Sequence, residues 1–297
     1  MKEGIFSMKY AIIGANGHFG QAAVNHLRQS MAQDDQIIAL ARNTEKANDL
    51  FKDFSQVEVR PGSYADKAAL VQSLQDVDRL LFISSQPNAD FPRLEQHANI
   101  IAAAKTAGIK YLVYTSFPQA DQADNFLASD HQATEGMIKD AGIPHAFARN
   151  NWYLENETAM IQAALDQGSF VYAAGSGKVG WALESDYAAG AANLLINAPA
   201  QTIFEFAGPQ HDYADLAKAI ADVTGQPVDA QLVSDADYRA DLLAKGTPEA
   251  QVAFSAQLQA LIRRGDLSFE SDDLAHVLGR QPVSLLDGVK EIIASLH

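Results

Sequence analysis

The chain contains no cysteine among its 297 residues. Disulfides, thiolate catalysis and cysteine-based metal centres are therefore excluded. Basic residues are also scarce, 22 Lys and Arg against 37 Asp and Glu, which leaves a formal net charge of -15. Phosphate backbones bind to clustered cations, so this balance argues against DNA or RNA as the main partner. No apolar run approaches the ~20 residues that a membrane helix needs, so no membrane insertion is expected. Residues 1–7 are too short and polar for a signal peptide. Met8 reads as a second start, and 1–7 as an N-terminal extension or tag remnant ahead of it. A cytoplasmic chain is expected. A G-x-S-x-G elbow is missing too, which makes a Ser-His-Asp hydrolase a poor fit.

Apolar residues make up 47% of the chain, enough for a folded globule. Short apolar runs at 10–13, 37–41, 57–59, 80–83, 111–114 and 145–148 read as strands. Stretches with helical character, at 21–29, 44–51, 66–74, 91–107 and 130–141, separate them. Leu80-Leu81-Phe82-Ile83 is apolar throughout, as a central parallel strand should be. The alternation predicts an α/β fold, a Rossmann-type doubly wound parallel sheet. Further on, 185–197 reads as an Ala-rich helix and 203–206 as a strand added to the sheet. Helices are expected at 213–224, 235–245 and 248–264, with Ser284 capping a last one. The expected division is a nucleotide-binding domain over 8–155, joined by 181–207. A smaller, mostly helical C-terminal lobe takes 156–180 and 208–297.

Gly14-Ala15-Asn16-Gly17-His18-Phe19-Gly20 follows the first strand and opens the first helix. Such a turn presents backbone N–H groups and a helix N-terminus to a pyrophosphate. Gly14 permits the turn, Gly17 lets backbone approach phosphate, and Gly20 packs helix on strand. Gly175-Ser176-Gly177-Lys178-Val179-Gly180 fits G-x-G-x-x-G better, but no amphipathic helix begins there. It reads as a hairpin or loop. In this fold ligands bind at the carboxyl ends of strands, here Gly14, Arg42, Ser84, Thr115 and Asn150. An NAD enzyme carries Asp or Glu at the end of strand two, whereas this chain has Ala41-Arg42-Asn43. A guanidinium there suits a 2′-phosphate, so NADP (NADPH) is favoured over NAD. The bland alternative is a surface ion pair of Arg42 with Glu45 or another surface acid.

None of the nine tyrosines has Lys four positions later, so the Tyr-x-x-x-Lys pair that commonly protonates a carbonyl is absent. The corresponding helix offers His131-Gln132-Ala133-Thr134-Glu135. Spacing i, i+4 puts His131 and Glu135 on one face. They could form a His–carboxylate pair, a metal edge or a structural hydrogen bond, or His131 could donate a proton. A hydride site without the usual acid restricts the substrate. Quinones qualify, because solvent can protonate the stabilised phenolates they become, and conjugated cationic dyes qualify as well.

Gly14 to Gly20, Leu81 to Ser85, Tyr114-Thr115-Ser116, His131 to Glu135 and Arg149-Asn150-Asn151-Trp152-Tyr153-Leu154-Glu155-Asn156 occur in this order. Together they resemble the NmrA-like atypical short-chain dehydrogenases, and within them the branch of NAD(P)H:quinone and triphenylmethane reductases. The resemblance runs from Lys9 to the C-terminus. It implies NADPH contacts from Gly14, Ala15, Asn16, Gly17, His18, Phe19, Arg42, Ser84, Ser85, Gln86, Asn150, Asn151, Trp152, Tyr153, Leu154 and Glu155. The chain departs from the family pattern at Asn16 and His18, at Gly62-Ser63-Tyr64 and at Asn151.

The expected activity is hydride transfer from NADPH to a planar quinone, clamped by Phe117, Trp152, Tyr153 and Trp181. Tyr153 or His131 could supply a proton, though neither has to. Two rivals stand beside it: an NAD(P)-binding redox sensor without turnover, and a reductase of other flat electrophiles such as triphenylmethane dyes. A monomer or homodimer is expected, with no metal.

Overall fold

A computed structural model describes residues 7–86 and 91–296. Most of the N-terminal extension, residues 1–6, lies outside the described residues. The chain divides into two compact units. The first takes the described residues up to Asn150, then Glu184–Glu205 and Val277–Gly279. The second takes Asn151–Leu183, Phe206–His276 and the described residues from Arg280 on.

In the first unit, strands and helices alternate: β1 (Lys9–Ile13), α1 (His18–Ser30), β2 (Gln36–Ala41), α2 (Thr44–Phe51), β3 (Val57–Pro61), α3 (Lys67–Ser73) and β4 (Arg79–Phe82). Then come α4 (Arg93–Ala107), β5 (Tyr111–Ser116), α5 (Ala128–Ala141) and β6 (His145–Asn150). After an excursion through α6 (Thr158–Gln167) and β7 (Ser169–Tyr172) in the second unit, the chain adds α7 (Glu184–Asn197) and β8 (Ile203–Phe206). The seven-stranded sheet has the order β3-β2-β1-β4-β5-β6-β8. The pairs from β3 across to β6 are parallel. On the last edge the Phe147 N–H donates to Thr202 O at 2.8 Å. The order reverses at β1, between β2 and β4, which is the switch point where such sheets bind ligands.

The strand sequences explain this. β1, β2, β4 and β5 bury nearly every side chain, because helices cover both faces. One face of the sheet builds a core from Ile13, Leu40, Leu80, Phe82, Leu112 and Tyr114 against the α3 and α4 side chains. α4 and α5 end at Gly108 and Gly142, both in left-handed backbone.

The second unit continues with α8 (Tyr213–Thr224), β9 (Asp229–Leu232), α9 (Asp235–Ala244), α10 (Glu249–Arg264), α11 (Asp273–Leu278), whose last two residues fall in the first unit, and α12 (Leu285–Ser295). The expectation of a mostly helical lobe needs one addition. β7 and β9 form a parallel two-stranded sheet. β9, Asp-Ala-Gln-Leu, is largely exposed and has no apolar alternation, so no pattern marked it. Ser284 caps α12 as expected, accepting from the Asp287 N–H. The 175–180 glycines form a turn and loop rather than a nucleotide site. A Cβ on Gly177 would lie 2.2 Å from Ile262 O, so close packing against the end of α10 requires that glycine.

Candidate functional site

The glycine turn sits between β1 and α1 at the switch point. Gly14 has φ +82°, a conformation that L side chains rarely adopt. The Gly14 and Ala15 N–H groups donate to Leu40 O at 3.2 and 3.3 Å, which ties the turn to β2. A Cβ on Gly20 would come within 2.3 Å of Gly14 O, so α1 can lie on the turn only with glycine there. Gly17 differs. Its Cβ would meet nothing closer than Gly14 O at 3.5 Å, so the protein's own packing leaves this position open. Gly17 caps α1 in extended backbone with no side-chain hydrogen bond, and no acidic residue sits in the first helical turn.

A second group at that helix end escaped the sequence reading. The Phe19 amide donates to the Glu184 carboxylate, so it is already committed within the protein. Burial raises the Glu184 pKa, while nearby His18 and the Phe19 amide act to lower it. Glu184 is distant in sequence, and no local signal marks it.

Arg42 follows β2 directly and is exposed. It makes no ion pair among the described residues, so the surface pair with Glu45 does not form. Asn43 caps α2 through Lys46 N at 2.9 Å, and its carbonyl accepts from Asn16 Nδ2 at 2.8 Å. That bond joins the glycine turn to the loop carrying Arg42. Gln21 Nε2 donates to Asn16 O and braces the turn from the helix side.

The loop after β4 is held by three side chains, of which the sequence analysis did not single out His97. Tyr64 OH donates to Ile83 O at 2.9 Å. The Ser84 N–H donates to Thr115 Oγ1 at 2.8 Å, and the Ser85 N–H to His97 Nε2 at 3.1 Å. Because His97 Nε2 accepts, its proton is on Nδ1, facing Thr134 Oγ1 at 2.8 Å. Burial pushes the His97 pKa down to about 3, so the ring is neutral. Ser85 Oγ is buried with no partner among the described residues. Gln86 is exposed at the end of this loop, and the next residues, 87–90, lie outside the described ones.

His131 and Glu135 share a face of α5 but do not pair. His131 is buried, with Nδ1 2.9 Å from Tyr114 OH and Nε2 3.2 Å from an Arg93 guanidinium nitrogen. A guanidinium only donates, so Nε2 accepts and Nδ1 carries the proton. Burial, then the Arg93 charge, holds its pKa well below the ordinary value. A neutral ring with both nitrogens occupied is no proton donor, so that expectation is corrected. No group of three His, Asp or Glu that could hold a metal ion exists among the described residues. Glu135 instead accepts from Arg149 and from Ser116 Oγ, the latter at 2.6 Å. Burial works against the Arg149 charge, but its bonds to Glu135 and Glu205 outweigh it, and the pKa is raised.

Phe117 follows β5, with its ring 6.1 Å from that of His131. It is only 6% exposed, so little of it is open to a ligand. Asn150 ends β6 and is buried. From Asn151 the motif lies in the second unit. Asn151 Oδ1 accepts from the Trp152 N–H and Nδ2 donates to Leu267 O, so its side chain shapes the loop. Trp152 and Tyr153 are half-buried, and Tyr153 bridges to Ala182. Leu154 is buried and would meet any Cβ on Gly288 at 2.7 Å. The Glu155 carbonyl accepts from Thr158 Oγ1. Trp181 is corrected from clamp to core. It is 3% exposed, packs edge-on to Tyr213, and spends its indole N–H on Glu157.

The residues that could hold a dinucleotide thus gather at the carboxyl ends of β1, β2 and β4: a glycine turn, and a cation and a buried hydroxyl that have no partner among the described residues. Comparison with known proteins agrees. A family model described as NAD(P)H-binding matches residues 14–186. Quinone oxidoreductase 2 of Escherichia coli is 36% identical over 95% of this chain and 98% of its own. The crystal structure of an Escherichia coli NADPH-dependent quinone oxidoreductase complexed with NADPH superposes with TM-score 0.88, over 96% of this chain and 99% of that one. Triphenylmethane reductase of Citrobacter sp., complexed with NADP(H), is 31% identical with TM-score 0.89, over 96% of this chain and 100% of that one. A glycine turn at the switch point, an arginine where a carboxylate would select NAD, and likeness along nearly the whole chain converge: the chain belongs to the NAD(P)H-binding, NmrA-like family of oxidoreductases.

Proposed function

We propose that the protein is an NADPH-dependent reductase of planar, quinone-like acceptors. Arg42 carries the cofactor half of this reading. It is a cation with no carboxylate partner among the described residues, at the end of β2, tied to the glycine turn through Asn43 and Asn16. That is where an adenosine 2′-phosphate is gripped in this fold. Gly17 leaves room for backbone to approach the pyrophosphate, and the His18 end of α1 favours its charge. Ser84, Ser85 and Gln86 would line the loop beyond, with the idle Ser85 hydroxyl available to the cofactor. Asn150 to Glu155 are the remaining candidate contacts. When bound, NADPH supplies a hydride from its nicotinamide ring.

The acceptor half rests on what the residues cannot do. His131 is neutral and buried with both nitrogens occupied. Glu135, at the position of the missing lysine, is held by Arg149. No strong acid is presented to a carbonyl. A quinone needs none, because its reduced oxygens form as stabilised phenolates that water protonates. Trp152 and Tyr153, both half-exposed, are the aromatic surfaces left to stack on a flat ring. The Escherichia coli and Citrobacter relatives, a quinone oxidoreductase and a triphenylmethane reductase, support the same class of acceptor.

The test is NADPH consumption by purified protein against benzoquinones, naphthoquinones and cationic triphenylmethane dyes, with NADH as control. Turnover of quinones with NADPH is expected. Tight NADPH binding with no turnover of any acceptor would turn the reading toward a redox sensor. Light scattering of the same sample distinguishes monomer from homodimer.

A further inference from the structure

The second unit contains a cavity of 480 Å3 that the cofactor reading does not use. All its lining residues come from that unit, chiefly from α6, α9 and α10. The volume falls in the range of small-molecule sites. Phe170 and Tyr238 line it with aromatic rings, and Met160, Leu242 and Leu258 with apolar side chains, while Tyr213 stands fully buried behind the wall.

Glu157 stands in the wall and is 4% exposed. Its carboxyl faces neutral groups alone. Trp181 Nε1 donates to Oε1 at 3.3 Å. Tyr213 OH stands 3.4 and 3.3 Å from the two oxygens. The direction of the tyrosine proton is set by Gln259. Its Oε1 accepts from the Ala173 N–H at 2.7 Å, so its Nε2 is the group that donates to Tyr213 OH, at 2.9 Å. The tyrosine must then donate toward Glu157. The Trp152 indole N–H, also buried, likewise favours the ionised carboxyl.

These bonds are long and none carries a charge. No Lys, Arg or His pairs with Glu157 among the described residues. The charged groups elsewhere in the wall are Asp166, Asp241 and Lys245, and Lys245 is already paired with Asp241 at 2.8 Å. The site therefore has excess negative charge, a buried carboxyl lacking a cation, and aromatic faces beside it. A buried carboxylate is costly unless an opposite charge reaches it. An aromatic face adds attraction for a cation.

We propose that this cavity is a second small-molecule site, distinct from the hydride-transfer site, that takes an aromatic amine in its cationic form with Glu157 as counter-ion. The ammonium group pairs with the Glu157 carboxylate, and the ring lies against Phe170 and Tyr238. The proposal is independent of the acceptor reading, since neither NADPH nor turnover is needed to observe it.

Burial pushes the Glu157 pKa up to about 7, with the Trp181, Tyr213 and Trp152 donors acting to lower it. Tyr238 also titrates nearby, but burial pushes it up to about 12, and it stays neutral. Binding a cation thus requires Glu157 to give up a proton, and affinity must rise with pH.

Calorimetric titration of the full chain with tryptamine tests this, with 3-ethylindole and indole-3-propionate as neutral and anionic controls. One tryptamine per chain is expected, with both controls bound at least about tenfold more weakly. Between about pH 6 and about pH 8 tryptamine affinity should rise about tenfold, following ionisation of the carboxyl. Glu157→Gln should remove both the preference and the pH dependence. Ser255→Phe, which fills the cavity from α10, should block binding and serves if the first variant fails to fold. Equal binding of tryptamine and 3-ethylindole, unchanged binding in either folded variant, or competition between tryptamine and the quinone acceptor would overturn the proposal.

Discussion

Arg149 grips both carboxylate oxygens of Glu135, Nε to Oε1 at 2.9 Å and Nη2 to Oε2 at 2.8 Å, in a pair almost wholly hidden from water. The remaining guanidinium nitrogen bonds Asp121 at 2.6 Å and Glu205 at 2.8 Å. One cation thus ties the end of β6 to α5, to β8 and to the loop after β5. Removing Glu135 leaves the guanidinium underpaired in a dry site. Glu135→Ala should lower unfolding free energy by about 3 kcal/mol, read by urea denaturation.

Arg42→Ala should weaken NADPH by on the order of 1.5–3 kcal/mol, the worth of a charged hydrogen bond. NADH, which lacks the extra phosphate, should be almost unaffected. The KM ratio of the two cofactors is the measurement, and an unchanged ratio would remove Arg42 from the site.

Gly17 and Gly20 should respond differently to the same added methyl. Gly20→Ala drives a Cβ to 2.3 Å from Gly14 O, so the turn must shift, at a cost of about 1–3 kcal/mol in stability. Gly17→Ala meets only an ordinary contact and should melt like the parent. Its loss should appear in NADPH affinity alone, as judged by fluorescence titration.

His131→Asn and Tyr153→Phe test whether a side chain supplies the proton. Loss of a general acid costs about a hundredfold or more in rate. Much smaller effects are expected for both variants with quinones. A hundredfold fall in kcat for Tyr153→Phe would restore that residue as the donor.

Glu157 gives stability a distinctive pH dependence. Its folded pKa of about 7 exceeds the ordinary 4.5, so its contribution is fully present below pH 4.5 and is lost as pH rises through 7. The change amounts to about 3 kcal/mol. Comparing Glu157→Gln with the parent across that window isolates it from the lowered carboxylates, such as Asp76, that act in the opposite direction. Parallel stability–pH curves for the two proteins would refute it.

Much of the first unit is legible in the chain, because its signals are local. The apolar runs of β1, β4 and β5 come from burial on both sheet faces, and Gly14 answers to its own backbone dihedral. Arg42 could be placed because β2 ends where its apolar run ends. The second unit was harder to read. β7 and β9 are four residues each, and the exposed side chains of β9 follow no period.

Residue order and spacing alone determined the parallel α/β sheet, the glycine turn and the cation that follows β2, since each depends on neighbours in the chain. The tertiary structure decided the electrostatic partners. Glu135 meets Arg149 rather than His131, Phe19 meets Glu184, and Trp181 turns inward to Glu157. Charge and hydrogen bonding act through space over a few ångströms, between groups that folding brings together from distant points, and no local pattern encodes which groups those will be.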